Sequence, residues 1–110
     1  MQNNLKEGQS VRLDKWLWAA RFYKTRSIAR DAVQSGKVQY NGQRSKPGKI
    51  VELGASIMIP QGSDLKDVVV LQMKEQRLGA PLAQLMYKET PTSEMLRASN
   101  AEARRLSAFH

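Results

Sequence analysis

The chain has 110 residues, 18 Lys and Arg against 10 Asp and Glu for a formal charge of +8, no cysteine, and one histidine at its last position. That length suits one domain, and the composition excludes disulfides, thiolate metal sites, cysteine nucleophiles, histidine metal clusters and Ser-His-Asp chemistry. The longest apolar run, Trp16 to Ala20, is five residues, far short of the roughly 20 that span a bilayer, and Met1 to Ser10 lacks a secretory apolar stretch. A cytoplasmic, non-enzymatic protein is expected, with no catalytic residue, no metal, no cofactor and no membrane partner.

In chain order, residues 1–10 read as a flexible N-terminus. Leu13, Trp16, Leu17 and Ala20 fall at i, i+3, i+4 and i+7 and predict a first helix from about Asp14 to Tyr23, with Lys15, Trp18 and Arg21 off its apolar stripe. Thr25 is a candidate N-cap for a second helix whose apolar residues are Ile28, Ala29, Ala32 and Val33 and whose stop is Gly36. The period then becomes alternating: Val38 and Tyr40 share one side, and Asn41-Gly42 is a strong type I′ hairpin signal before Gln43 and Arg44. Lys46 to Lys49 form a basic turn, Leu53-Gly54 another turn, and Ala55, Ile57 and Ile59 alternate in a further strand.

Pro60 to Asp64 reads as a loop and Val68 to Met73 as a strand covered on both faces. Gln76 to Pro81 is a connector, followed by a short helix carrying Leu82, Leu85 and Met86. Thr90-Pro91 opens a last helix through about Ser107 whose apolar side, Leu96, Ala103 and Leu106, is thin. The fold class expected is α+β, with two N-terminal helices packed on a small antiparallel sheet and a C-terminal helical extension.

The charge is not evenly spread. From Arg12 to Lys49 there are ten basic residues against Asp14 and Asp31, while the rest of the chain is balanced. A contiguous segment carrying the whole excess is what a polyanion-binding surface requires, although a solvated basic face without a partner has the same composition. Trp16 reads as core, and Trp18 either as a stacking surface or as packing against the C-terminal part. Asp14 suits the helix dipole and pairing with a neighbouring Arg better than acid catalysis.

Arg12-Leu13-Asp14-Lys15-Trp16-Leu17, Arg21, Thr25-Arg26-Ser27 with Ala29, Gly36, Val38, Asn41-Gly42, Lys46, and Val51 with Gly54 resemble the RNA-binding domain of small-subunit ribosomal protein S-four, the alpha-L motif. The stretches from Trp16 to Arg26 and from Asn41 to Pro47 further resemble the bacterial heat-shock protein fifteen family. The resemblance is good over about residues 11 to 60. It implies an RNA-binding domain at 11–75, a helical extension at 76–110, and a ribosome-associated factor that binds free large subunits still carrying nascent chain on tRNA, in heat-stress ribosome recycling. Family members carry a longer basic C-terminal tail, so contacts made by that tail are not carried over.

The residues expected at RNA are Arg12, Lys15, Arg21, Lys24, Thr25, Arg26, Ser27, Arg30, Lys37, Arg44, Lys46 and Lys49, meeting phosphates and reading folded shape more than sequence. Lys37 and Lys46 are equally readable as solubilising charges. The partners expected are rRNA, with tRNA open and DNA secondary, and nothing in the sequence demands more than a monomer. Two other classes stay open: the RNA-binding module of a modifying or tRNA-charging enzyme, and a protein-interaction factor whose basic face serves acidic partners.

Overall fold

The computed structural model describes residues 10–108; the expected flexible N-terminus lies, apart from Ser10, outside the described residues. Helix α1 (Leu13–Ala19) buries Leu13, Trp16, Leu17 and Ala19. It stops earlier than its pattern predicts, because Arg21 takes a left-handed conformation at φ 67° and turns the chain out of the helix. Helix α2 (Arg26–Gln34) starts where expected: the Thr25 hydroxyl accepts from the Ile28 N–H at 3.1 Å. Its core side is Ala29, Ala32 and Val33. Ile28, read from the sequence as part of the apolar side of this helix, is 48% exposed; Ala29, Ala32 and Val33 are the buried residues, and Ile28 projects to the flank of α2.

Strands β1 (Gln39–Tyr40) and β2 (Gln43–Arg44) form the expected hairpin, with Asn41 and Gly42 both at positive φ. β3 (Ser56–Gln61) and β4 (Asp64–Val70) form a longer one. The expected loop at Pro60 to Asp64 is therefore only Gly62-Ser63, and the expected strand over Val68 to Met73 begins at Asp64 and ends at Val70. Pro60 is tolerated because β1 reaches β3 only at Ile57 and Met58, so further along β3 that edge has no ladder for a missing N–H to break. The two faces of β4 are unequally covered: Val68 and Val70 are buried on one, while on the other Asp67 and Val69 are half-buried and Leu65 is exposed.

The short helix α3 (Ala80–Ala83) continues as a 3-10 turn, Gln84–Met86, into β5 (Tyr87–Glu89), a strand that the sequence pattern did not announce. Helix α4 (Pro91–Ser107) closes the described chain, with the Thr90 hydroxyl accepting from the Ser93 N–H as its cap. The five strands form one antiparallel sheet in the order β2-β1-β3-β4-β5.

Between this sheet and the α1–α2 pair lies the core, built from Leu13, Trp16, Leu17, Val33, Val38, Ile57, Ile59, Val68, Val70 and Met86, with Phe22 and Tyr87 packed against it. The Trp16 indole N–H donates to the Gln72 carbonyl at 2.8 Å, so the largest core side chain is also satisfied as a donor. Arg77 lies over the Trp18 ring and donates to the carbonyls of Trp18 and Tyr23, which settles Trp18 as packing against the C-terminal part. Among the described residues no helix is long and apolar enough to cross a membrane.

Candidate nucleic-acid interface

The basic turn at Lys46 to Lys49 is fastened to the start of α1. The Leu13 N–H donates to the Lys49 carbonyl at 2.8 Å and the Asp14 N–H to the Pro47 carbonyl at 3.1 Å. These are donors that a helix N-terminus leaves free, and Arg12 has no side-chain cap to satisfy them. Arg12 also bridges to Ile50, and the Val51 N–H donates to Val11. The result puts Arg12, Lys46 and Lys49 beside the exposed face of α2, where Arg26 and Arg30 are four residues apart.

Two adjoining hollows share Arg12 and Arg30. One, of about 700 Å³, is lined by Arg12, Arg30, Gln34, Ser45, Lys46, Pro47, Gly48 and Lys49, none of them acidic. The other, of about 360 Å³, is lined by Arg12, Asp14, Arg26, Ser27 and Arg30. Together they make an open groove with five cations and one carboxylate. Asp14 is nearly buried, and it accepts from Nε and Nη2 of Arg12 at 3.1 and 3.0 Å while Arg26 stands 3.7 Å away. The hydrogen bond to that carboxylate raises the Arg12 pKa above its ordinary value. Thr25, Arg26 and Ser27 open α2 at the same groove, and its first backbone N–H groups favour an anion there.

Arg12, Arg26, Ser27, Arg30, Lys46 and Lys49 thus come together, while the other expected contact residues do not. Lys15 pairs with Glu75 at 3.1 Å, and Arg21 donates to the Leu78 carbonyl at 3.0 Å. Arg44 donates to the Gln34 carbonyl at 2.6 Å, where it satisfies the end of α2. The Thr25 hydroxyl is occupied as a cap, and Lys24 is exposed on the link between the helices, lining neither hollow. Lys37 lines a third hollow, of about 410 Å³, on the other flank of α2 with Tyr23, Ile28, Asp31 and Pro60. Of the twelve residues expected at RNA, six therefore gather at the groove, while Lys15 on α1 and Arg21 just past its end turn to the 75–78 segment.

Gln34, Ser45, Pro47 and Gly48 line the groove without having been singled out from the sequence. Gln34 was detectable, since it lies four residues beyond Arg30 on the same helix face. Ser45 and Gly48 give no such signal, because their placement depends on the turn docking onto α1. No group of three or more acidic, histidine or cysteine side chains able to hold a metal occurs among the described residues.

Two helices on a small antiparallel sheet, with a cationic groove between the second helix and a basic turn, define an S4-type RNA-binding protein. The S4 domain family model matches residues 11–57. Heat shock protein 15 homolog of Aeromonas salmonicida is 62% identical over 108 residues, covering 98% of this chain and 82% of that protein. A trimeric solved structure of heat shock protein 15 from Vibrio cholerae is 58% identical with a TM-score of 0.87, over 88% of this chain and 98% of that one. A more distant relative, the RQC P-site tRNA stabilizing factor of Halalkalibacterium halodurans, is 31% identical over 76% of this chain and 98% of its own. The chain belongs to the heat shock protein 15 family.

Proposed function

We propose that this chain is a non-enzymatic cytoplasmic factor that binds rRNA of the large ribosomal subunit, on free large subunits still carrying nascent chain on tRNA, and acts in their recycling under heat stress. Residues 11–75 serve as the RNA-binding domain and 76–110 as its extension, which also lends β5 to the sheet. The observation that carries this reading is the groove itself: backbone bonds between α1 and the 46–49 turn hold Arg12, Lys46 and Lys49 together, beside Arg26 and Arg30 of α2. Preorganised guanidinium forks meet phosphate oxygens with little further ordering. The name of the P-site tRNA stabilizing factor, a relative across three quarters of this chain, supports a ribosomal partner near tRNA.

Sucrose-gradient sedimentation of a lysate tests the ribosomal part. The protein is expected to travel with free large subunits, and more of it should do so after stalled ribosomes are split. Migration with small subunits alone, or retention at the top of the gradient, overturns that assignment. The solved relative from Vibrio cholerae is trimeric, and on that ground we infer that copies of this chain associate as well, in place of the monomer that its sequence suggests.

A further inference from the structure

Helix α4 is mounted with its polar side inward. Ser93, Arg97, Asn100 and Arg104 fall within about 60° of one another at about 100° per residue, and they make the contacts to the sheet. The Asp67 N–H donates to the Ser93 hydroxyl at 3.0 Å, and that hydroxyl donates to Glu89 at 2.6 Å. Arg97 forks onto Glu89 at 2.7 and 2.6 Å, and Asn100 and Arg104 both reach Asp64. This arrangement has a local cause. β5 pairs β4 only from Val68 to Val70, so the edge of β4 from Asp64 to Asp67 has no strand beside it, and α4 covers it with polar groups.

The apolar side of α4, which the sequence suggests as its packing face, therefore stands in water. Met95, Leu96 and Leu106 are 72%, 57% and 51% exposed, and Ala103 is exposed between them. Thr92, Leu96, Ser99, Ala103 and Leu106 are spaced 4, 3, 4 and 3 residues apart, the alternation by which a helix presents one seam to another helix. No Lys or Arg lies in that seam, so it carries no cation for a phosphate.

We propose that this seam is the self-association surface of the protein, where α4 of one copy packs against α4 of the others in a three-fold assembly. The proposal rests on the association read above from the trimeric relative, and adds where the contact is made. The seam is narrow and partly hydroxylic, which suits close helix approach. It belongs to a different element from the RNA groove, so assembly sets several grooves in one particle without using any of them.

Sedimentation equilibrium of the full-length protein from micromolar to millimolar concentration, with the Leu96→Glu/Leu106→Glu double variant beside it, tests the proposal. Wild type is expected to approach three chain masses. The variant should stay at one, with unchanged circular dichroism and unchanged affinity for a short RNA that fills a single groove. A wild type at one chain mass throughout overturns the association and the seam together, while a variant that still reaches three masses overturns the seam alone. A monomeric wild type whose variant loses ribosome binding assigns the stripe to a ribosomal partner instead, and also overturns the proposal. Because the chain has no cysteine, Ser99→Cys gives a second reading that does not depend on the charged variant. Oxidation should link copies through position 99 and leave an Ala101→Cys control unlinked, and equal linking of both overturns the seam.

Discussion

Asp14 holds Arg12 by both forks of its guanidinium: the carboxylate side chain is 4% exposed, whereas half of Arg12 remains in water. A buried anion thus props an exposed cation, and Arg26 leans on the same carboxylate from the next helix. The pairing spans two helices with one acidic group and leaves the groove strongly positive.

Asp14→Asn separates positioning from bulk charge. Removing a negative charge from a phosphate-binding groove strengthens RNA binding if net charge is what matters. Loss of the prop weakens it, and the expected outcome is weakening by about tenfold, or about 1.4 kcal/mol, with the fold retained because Asn is nearly isosteric. A filter-binding or fluorescence-anisotropy titration reads the sign directly.

Cations tied to the protein should behave differently from those lining the groove. Arg44→Ala and Arg21→Ala remove guanidinium groups that hold the carbonyls of Gln34 and Leu78. Each should cost about 0.5–3 kcal/mol in stability and leave the salt dependence of RNA binding almost unchanged. Thermal unfolding and a salt titration on the same variants check both halves.

Leu17→Ala opens a cavity in the layer between α1 and the sheet, where Leu17 is fully buried. A loss of about 2–5 kcal/mol is expected in denaturant unfolding, and RNA affinity measured on the folded fraction should stay near that of wild type.

The docking of α4 carries a pH signature. Glu89, hydrogen-bonded by Arg97 and Ser93, is held down from the ordinary carboxylate range to about 2. A carboxylate depressed in the folded state binds fewer protons there than in the unfolded chain, so its contribution is complete above about pH 5. It is lost as pH falls toward 2. Arg104 lowers Asp64 in the same direction. Glu89→Gln should therefore be less stable than wild type at pH 7, and its melting temperature should fall less steeply between pH 5 and pH 2.

Much of this architecture was legible in the sequence because the signals were local. Asn41-Gly42 demanded positive φ at two successive positions, Thr25 and Thr90 supplied cap hydroxyls, and the 3–4 spacing of Leu13, Trp16, Leu17 and Ala20 marked the buried face of α1. What was not legible depended on long-range partners. Nothing beside Arg21 predicts its left-handed turn, β5 is three residues long and too short to show alternation, and Pro60 reads as a breaker until the extent of β1 is known. The groove was half legible for the same reason. Composition placed the charge between Arg12 and Lys49, but which cations gather there follows from the Leu13 and Asp14 N–H bonds to the 46–49 turn. The α4 seam was visible as a thin apolar side, and only the geometry of Ser93, Arg97, Asn100 and Arg104 shows that this side is not the one that docks.

The most direct measurement is the salt dependence of binding to a large-subunit rRNA fragment, for wild type and for Arg30→Ala, whose residue lies in both hollows. Five groove cations at about 0.7–0.9 released counterions each give a slope of log K against log salt of about −3.5 to −4.5, and Arg30→Ala should flatten it by about one. A wild-type slope near zero, or an Arg30→Ala slope equal to that of wild type, contradicts a groove that binds through phosphates.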